Sequence, residues 1–107
     1  MAKQQQQMTA IIYDKKGRIL SIGKNSYIKT HPMQDKYNKM AGKGYSAYGY
    51  AYLHCEIDAI NRCKDLEKAY KIRVTRVKRD GSYGMACPCK ACAIAISHTP
   101  IKVIEHT

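Results

Sequence analysis

Apolar and β-branched residues dominate Met8 to Tyr13, and an alternating pattern resumes from Arg18 to Ile22. Asp14-Lys15-Lys16-Gly17 lies between the two runs and reads as a turn, with Gly17 available for a positive φ. Together they predict a β-hairpin, ended by Gly23-Lys24-Asn25-Ser26. Residues 1–7 are Gln-rich and are expected to form a flexible tail ahead of a single domain at 8–107. From His54 to Tyr70 the apolar positions Ile57, Ile60, Cys63 and Leu66 recur every three residues, with Asn61, Lys64, Asp65 and Lys68 on the other side. That pattern predicts an amphipathic helix. Ile72 to Val77 predicts a strand, Arg79 to Ser82 a turn, and Tyr83 to Ala86 a short extension. Pro88 stands where a helix begins, Cys89 to Ser97 follows as a short helix, and Pro100 stops it. Ile101 to Ile104 is the last predicted strand. The order β-β-α-β-α-β predicts an α/β fold, with an antiparallel hairpin followed by parallel strands joined through right-handed crossovers.

Tyr27 to Tyr52 has no clear period, apart from a short helix expected over Gln34 to Met40. A connection this long is usually functional or disordered. Tyr45, Tyr48, Tyr50 and Tyr52 run directly into His54, with Lys36, Lys39 and Lys43 upstream. Interleaved aromatics and cations can stack bases and track phosphates. The plainer alternative is a Tyr-rich core, because the chain has nine Tyr, no Phe and no Trp.

The chain has 107 residues, which leaves room for one domain. No apolar run approaches the length of a membrane span, and the first residues lack the apolar core of a secretory signal, so a cytoplasmic protein is expected. Five Cys fit a reducing compartment, and the odd count argues against a closed disulfide framework. Nineteen Lys and Arg face eight Asp and Glu, a net charge of +11, which favours phosphate-bearing partners.

Two short motifs carry the chemistry. They are His54-Cys55-Glu56 and Pro88-Cys89-Lys90-Ala91-Cys92, each at the expected start of a helix. Cys89 and Cys92 share one helix face, and the positive end of a helix favours thiolate, the form that binds zinc. With the imidazole of His54 they make a Cys2His set, three ligands with a fourth position open to water. Glu56 can then move a proton between that water and a leaving amine. Cys63 reads as a core residue, Cys87 as a bystander near the site, and His31, His98 and His106 as residues without metal spacing.

An HCE motif followed by PCKAC resembles the zinc-dependent cytidine and deoxycytidylate deaminase superfamily, whose signature is H-x-E…P-C-x-x-C. The chain looks most like its short phage-type members, with Arg79-Asp80-Gly81 in place of a Lys-Asp-Gly-like turn. The resemblance implies a three-layer deaminase fold with a mixed sheet, and one zinc per chain with a bound water or hydroxide. It implies His54, Cys89 and Cys92 as ligands and Glu56 as the proton shuttle. The N–H of Cys55 would hold the base carbonyl, and the carbonyl of Pro88 would face the departing amine. Asn25 matches a sugar-binding position, though a plain Asn in a strand-ending turn fits equally. The residue between His54 and Glu56 is commonly Ala in the family; here it is Cys55. Most members also continue past the strand after PCxxC, so a homo-oligomer covering the sheet edge is expected, and for a phage protein the host cytoplasm.

Three functions fit. The first is hydrolytic deamination of a cytosine nucleoside or nucleotide to the uracil product, with release of ammonia. The second is deamination of cytosine or adenine in single-stranded DNA or RNA, which the charge favours. The third is a non-catalytic, zinc-containing nucleic-acid-binding module, against which the presence of Glu56 argues.

Overall fold

The hairpin forms around one carboxylate. In the computed structural model, which describes residues 7–26, 30–42 and 53–107, β1 (Gln7–Tyr13) and β2 (Ile19–Lys24) pair antiparallel. Asp14 Oδ1 accepts from the N–H groups of Lys16 and Arg18, each at 2.9 Å, and Oδ2 accepts from Arg18 Nε at 3.0 Å. The Arg18 amide, first among these donors, holds the Asp14 carboxyl below its ordinary value. Gly17 takes φ 82°, a conformation that L side chains rarely adopt, to close the turn. β1 includes Gln7, which pairs with Val77, so the strand begins inside the expected tail.

β1 pairs on its other side with β3 (Lys71–Val77), antiparallel from Gln7↔Val77 to Tyr13↔Lys71. The sheet order is therefore β2-β1-β3, and β2 and β3 run the same way with β1 between them. The expected parallel run after the hairpin is present, with the antiparallel β1 set along the other side of β3. Only β5 (Val103–His106) pairs parallel, along Lys71–Val74 of β3. β4 (Tyr83–Gly84) pairs antiparallel with Arg76 and Val77, farther along the same edge. The product is a mixed, five-stranded α/β sheet. The order of the strands is not written in their alternation, which sets only the buried face; the neighbour of a strand depends on long-range pairing.

Ala10 and Ile12 of β1, and Ile72 and Val74 of β3, are fully buried. They form one core with Ile57, Ala59 and Ile60 of α2 (Cys55–Arg62) and Ala91, Ala95 and Ile96 of α3 (Lys90–Ser97). α1 (Pro32–Met40) packs against α3, and the His98 ring at the end of α3 lies 5.7 Å from that of Tyr37. His31 caps α1, its Nδ1 accepting from Met33 N at 3.0 Å. Cys63 is buried in the core, as expected. The last residue, Thr107, continues the pairing: its N–H donates to Val74 O, and its carbonyl accepts from Ala86 N.

The expected helix from His54 to Tyr70 is half that length. It stops at Arg62, Cys63 turns to an extended conformation (ψ 107°), and Leu66–Lys68 form a separate 3₁₀ turn. An α-helix advances about 100° per residue, so a strict three-residue spacing drifts around the axis and leaves Leu66 about 180° from Ile57. One continuous helix cannot bury both on one face. The break lets Leu66 pack against the core from a new direction. α3 likewise starts one residue later than expected, with Cys89 as N-cap and Pro88 before it. Among the described residues, no helix is long and apolar enough to cross a membrane.

Candidate metal centre and active-site cleft

The two motifs meet at two helix starts. His54 is the N-cap of α2 and Cys89 the N-cap of α3, and neither side chain makes the usual capping hydrogen bond. Both turn instead toward a common point. His54 Nδ1 lies 3.3 Å from Cys92 Sγ and 3.5 Å from Cys89 Sγ, and the three ligand atoms lie within 4.8 Å of one another. Zinc bonds of ordinary length in a tetrahedron would set a nitrogen and a sulfur about 3.6 Å apart. The spacing of His54, Cys89 and Cys92 is thus compatible with one zinc ion.

The charges point the same way. The hydrogen-bonded Cys92 thiol holds the Cys89 sulfur down to about 3 against the cost of burial, and His54 adds to the effect. Cys92 moves in the opposite direction. Its bond to Cys89, then burial and the nearby charge of Glu56, push it well above the usual thiol range. Without a cation the pair keeps one proton between two sulfurs. A bound divalent ion relieves that repulsion and allows two thiolates, aided by the positive ends of both helices.

A cleft of about 370 Å³ opens beside this point. His54, Cys55, Glu56, Cys87, Cys89 and Asn25 all line it, together with Met8, Ser26 and Leu53. Cys92 is fully buried and lies outside the lining, as does Pro88. Cys87, expected as a bystander, is exposed at the mouth. Glu56 is only 2% exposed, yet among the described residues it is the one carboxylate in the lining. Cys55 Sγ donates to Glu56 Oε1 at 3.0 Å. Burial first, and then the Glu56 carboxylate, push the Cys55 thiol well up, so it keeps its proton and remains a donor. The N–H of Cys55 belongs to the first turn of α2, where an α-helix leaves its donors without internal partners. Asn25 Oδ1 accepts from Met8 N at 2.9 Å, which ties the end of β2 to β1 and fixes the carboxamide at the cleft wall.

Several positioning residues were not singled out by sequence reasoning. Gln34 of α1 is fully buried, and its Oε1 accepts from His54 N at 2.9 Å. Its Nε2 donates to Asn38 Oδ1, also at 2.9 Å. Ser21 Oγ donates to Ala59 O at 2.7 Å, and Asp58 Oδ2 accepts from Lys24 N at 3.0 Å, which locks α2 onto β2. At Gly23 an added Cβ would collide with Cys55 O and Ala59 N, so backbone meets backbone where α2 crosses the strand. Nothing in one sequence marks Gln34, the first residue of the expected short helix, as a partner of His54. Gly23 carried a signal, a glycine inside a strand pattern, which often marks close backbone approach. The Tyr45, Tyr48, Tyr50 and Tyr52 platform, with Lys43, lies outside the described residues.

A mixed sheet with two helix starts converging on a His-Cys-Cys set, and a carboxylate in the adjoining cleft, defines a zinc-deaminase type of domain. Compared with known families, residues 1–105 match the cytidine and deoxycytidylate deaminase zinc-binding region, and the chain belongs to that family. A search of curated proteins finds no match.

Proposed function

We propose that the protein catalyses zinc-dependent hydrolytic deamination of a cytosine nucleoside or nucleotide, giving the uracil product and ammonia. One observation carries this reading. Glu56 shares a cleft with His54, Cys89 and Asn25, beside a set of three ligand residues, the number that leaves a tetrahedral zinc one position for water. Zinc, when bound, supplies a Lewis acid that brings the pKa of water toward neutrality. Glu56 takes the proton from the attacking water and passes it to the ring nitrogen of the base. A second proton goes through the same carboxylate to the departing amine, so a C–O bond replaces the C–N bond and ammonia leaves. The Cys55 N–H holds the base carbonyl, the Pro88 carbonyl faces the amine, and Asn25 offers its amide to the sugar.

The test is a mass-spectrometric deamination assay on zinc-loaded protein. The substrates are cytidine, deoxycytidine, their monophosphates, adenosine, and single-stranded DNA and RNA oligonucleotides. Turnover of free nucleosides or nucleotides supports the proposal. Turnover of oligonucleotides alone, with binding that weakens steeply in salt, moves the assignment to the strand deaminase that the +11 charge favours. No turnover with zinc bound moves it to a non-catalytic module.

Two further outcomes are expected at this site. Zinc content, measured by mass spectrometry of the metal, is one per chain and is lost in His54→Ala and Cys89→Ala. In zinc-free protein at pH 6, the lowered pKa keeps Cys89 as thiolate, so peptide mapping after brief alkylation finds it labelled ahead of buried Cys92. Zinc suppresses both labels, and zinc retained in either variant would refute the ligand assignment.

The Cys55 thiol holds the Glu56 carboxylate in place. Removing the donor in Cys55→Ala is expected to lower kcat about fivefold at unchanged KM, and Cys55→Ser restores it, since the net worth of such a bond is about 1 kcal/mol. Equal rates in Ala and Ser variants would show that the thiol only fills space.

A further inference from the structure

The opposite end of the sheet carries a second cleft of about 410 Å³. Three separate segments wall it. The hairpin turn brings Lys15, Lys16 and Arg18, the 3₁₀ turn brings Lys68, and the segment before β5 brings Lys102, around Tyr70. These segments are bonded to one another. Tyr70 N donates to Tyr13 O at 2.8 Å, and Lys102 N donates to Tyr70 O at 2.9 Å. The turn itself is held by Asp14, as described above, so its lysines stand on a fixed frame.

The charges of this cleft do not balance. Among the described residues, Asp14 and Glu67 are the only carboxylates in the lining, and Asp14 is committed to the turn and to Arg18 at 3.0 Å. Among the described residues, Lys15, Lys16, Lys68 and Lys102 make no salt bridge. Glu67 alone therefore faces four lysines. Lys15 Nζ lies 6.0 Å from the centre of the Tyr70 ring, which sets a flat aromatic surface beside the cations. Like charges held together on a rigid frame lower their mutual repulsion by taking up an anion, and a ring beside them accepts the face of a base.

We propose that this cleft is a second binding site for the phosphates of a nucleotide or of a nucleic-acid strand, separate from the deaminase cleft. Met8 lines the first cleft and Asp14 the second, so about 20 Å of strand lies between them. A mononucleotide in the catalytic cleft cannot reach these lysines. The phosphate held here belongs either to a second, free nucleotide or to the same strand several nucleotides away.

The experiment is an amide chemical-shift titration of the zinc-loaded protein with inorganic phosphate, and separately with a ten-residue thymidine oligonucleotide that has no exocyclic amine to lose. Phosphate is expected to shift the amides of Lys15 to Arg18, Tyr70 and Lys102. In the Lys16→Ala, Lys68→Ala, Lys102→Ala triple variant its affinity falls at least about tenfold. A control variant, Lys64→Ala, Lys78→Ala, Arg79→Ala, loses the same charge outside both clefts and keeps wild-type affinity. If the oligonucleotide also weakens and its salt slope drops by about 2 in the first variant, the site tracks a strand, because each phosphate contact contributes about 0.7. An unchanged slope with weakened phosphate binding assigns the site to a free nucleotide. Phosphate shifts scattered over the surface, or equal losses in both variants, overturn the proposal.

Discussion

Glu56→Gln is expected to remove deamination while leaving one zinc per chain. The fall in kcat should be roughly a hundredfold to ten-thousandfold, the usual worth of a positioned acid–base group. Among the described residues Glu56 is the one carboxylate in the cleft lining, so no second carboxylate there can take over the proton. Gln is nearly the same size and keeps a carbonyl oxygen to accept from the Cys55 thiol, so the buried end of α2 is not disturbed. What it lacks is the capacity to receive a proton and give it up again. The proposed metal set is His54, Cys89 and Cys92, whose mutual distances do not involve Glu56. Two measurements on one sample, turnover and bound zinc, therefore separate proton transfer from ligation. Activity retained in Glu56→Gln would refute the shuttle. Zinc lost in it would make Glu56 part of the metal set.

Much of this site was legible in the sequence because its chemistry is local. His54 and Glu56 stand two apart and Cys89 and Cys92 three apart, so each pair is placed by the start of one helix. Two helix starts, with β3 and the short β4 between them, then bring the pairs together with little freedom. The hairpin was legible for the same reason, since Asp14 and Gly17 act within their own turn. The features that escaped depend on distant partners. Gln34 reaches His54 across 20 residues, and α1 is placed by packing on α3 rather than by its own pattern. β3 chose β1 as its antiparallel neighbour, which alternation in either strand does not encode. The overlong helix has a different cause: three-residue spacing suits a helix only over a short run, and its drift fits the break at Cys63.

Gly23→Ala is expected to be the most damaging small substitution outside the ligands and Glu56. Gly23 does not hold a left-handed φ, so the argument is about space and not backbone strain. An added Cβ would overlap the carbonyl of Cys55 and the N–H and Cα of Ala59, all backbone atoms. A flexible side chain could move aside, but a helix backbone can relieve the clash only by shifting as a body. α2 is tied to β2 by Ser21 to Ala59 O and by Lys24 N to Asp58, so lifting it breaks both bonds. The same shift carries His54 away from Cys89 and Cys92, where distances of 3.3 and 3.5 Å leave little slack for a tetrahedral ion. Overpacking usually costs about 1–3 kcal/mol, and a backbone collision with two broken bonds belongs at the upper end. For a domain of this size about 3 kcal/mol lowers Tm by more than about 10 °C. Calorimetry of the zinc-free chain reads the packing loss alone, and zinc titration of the same variant reads the displaced ligand. A melting temperature and zinc affinity both equal to the wild type would show that β2 and α2 can separate at no cost, and that the close approach at Gly23 does not position the site.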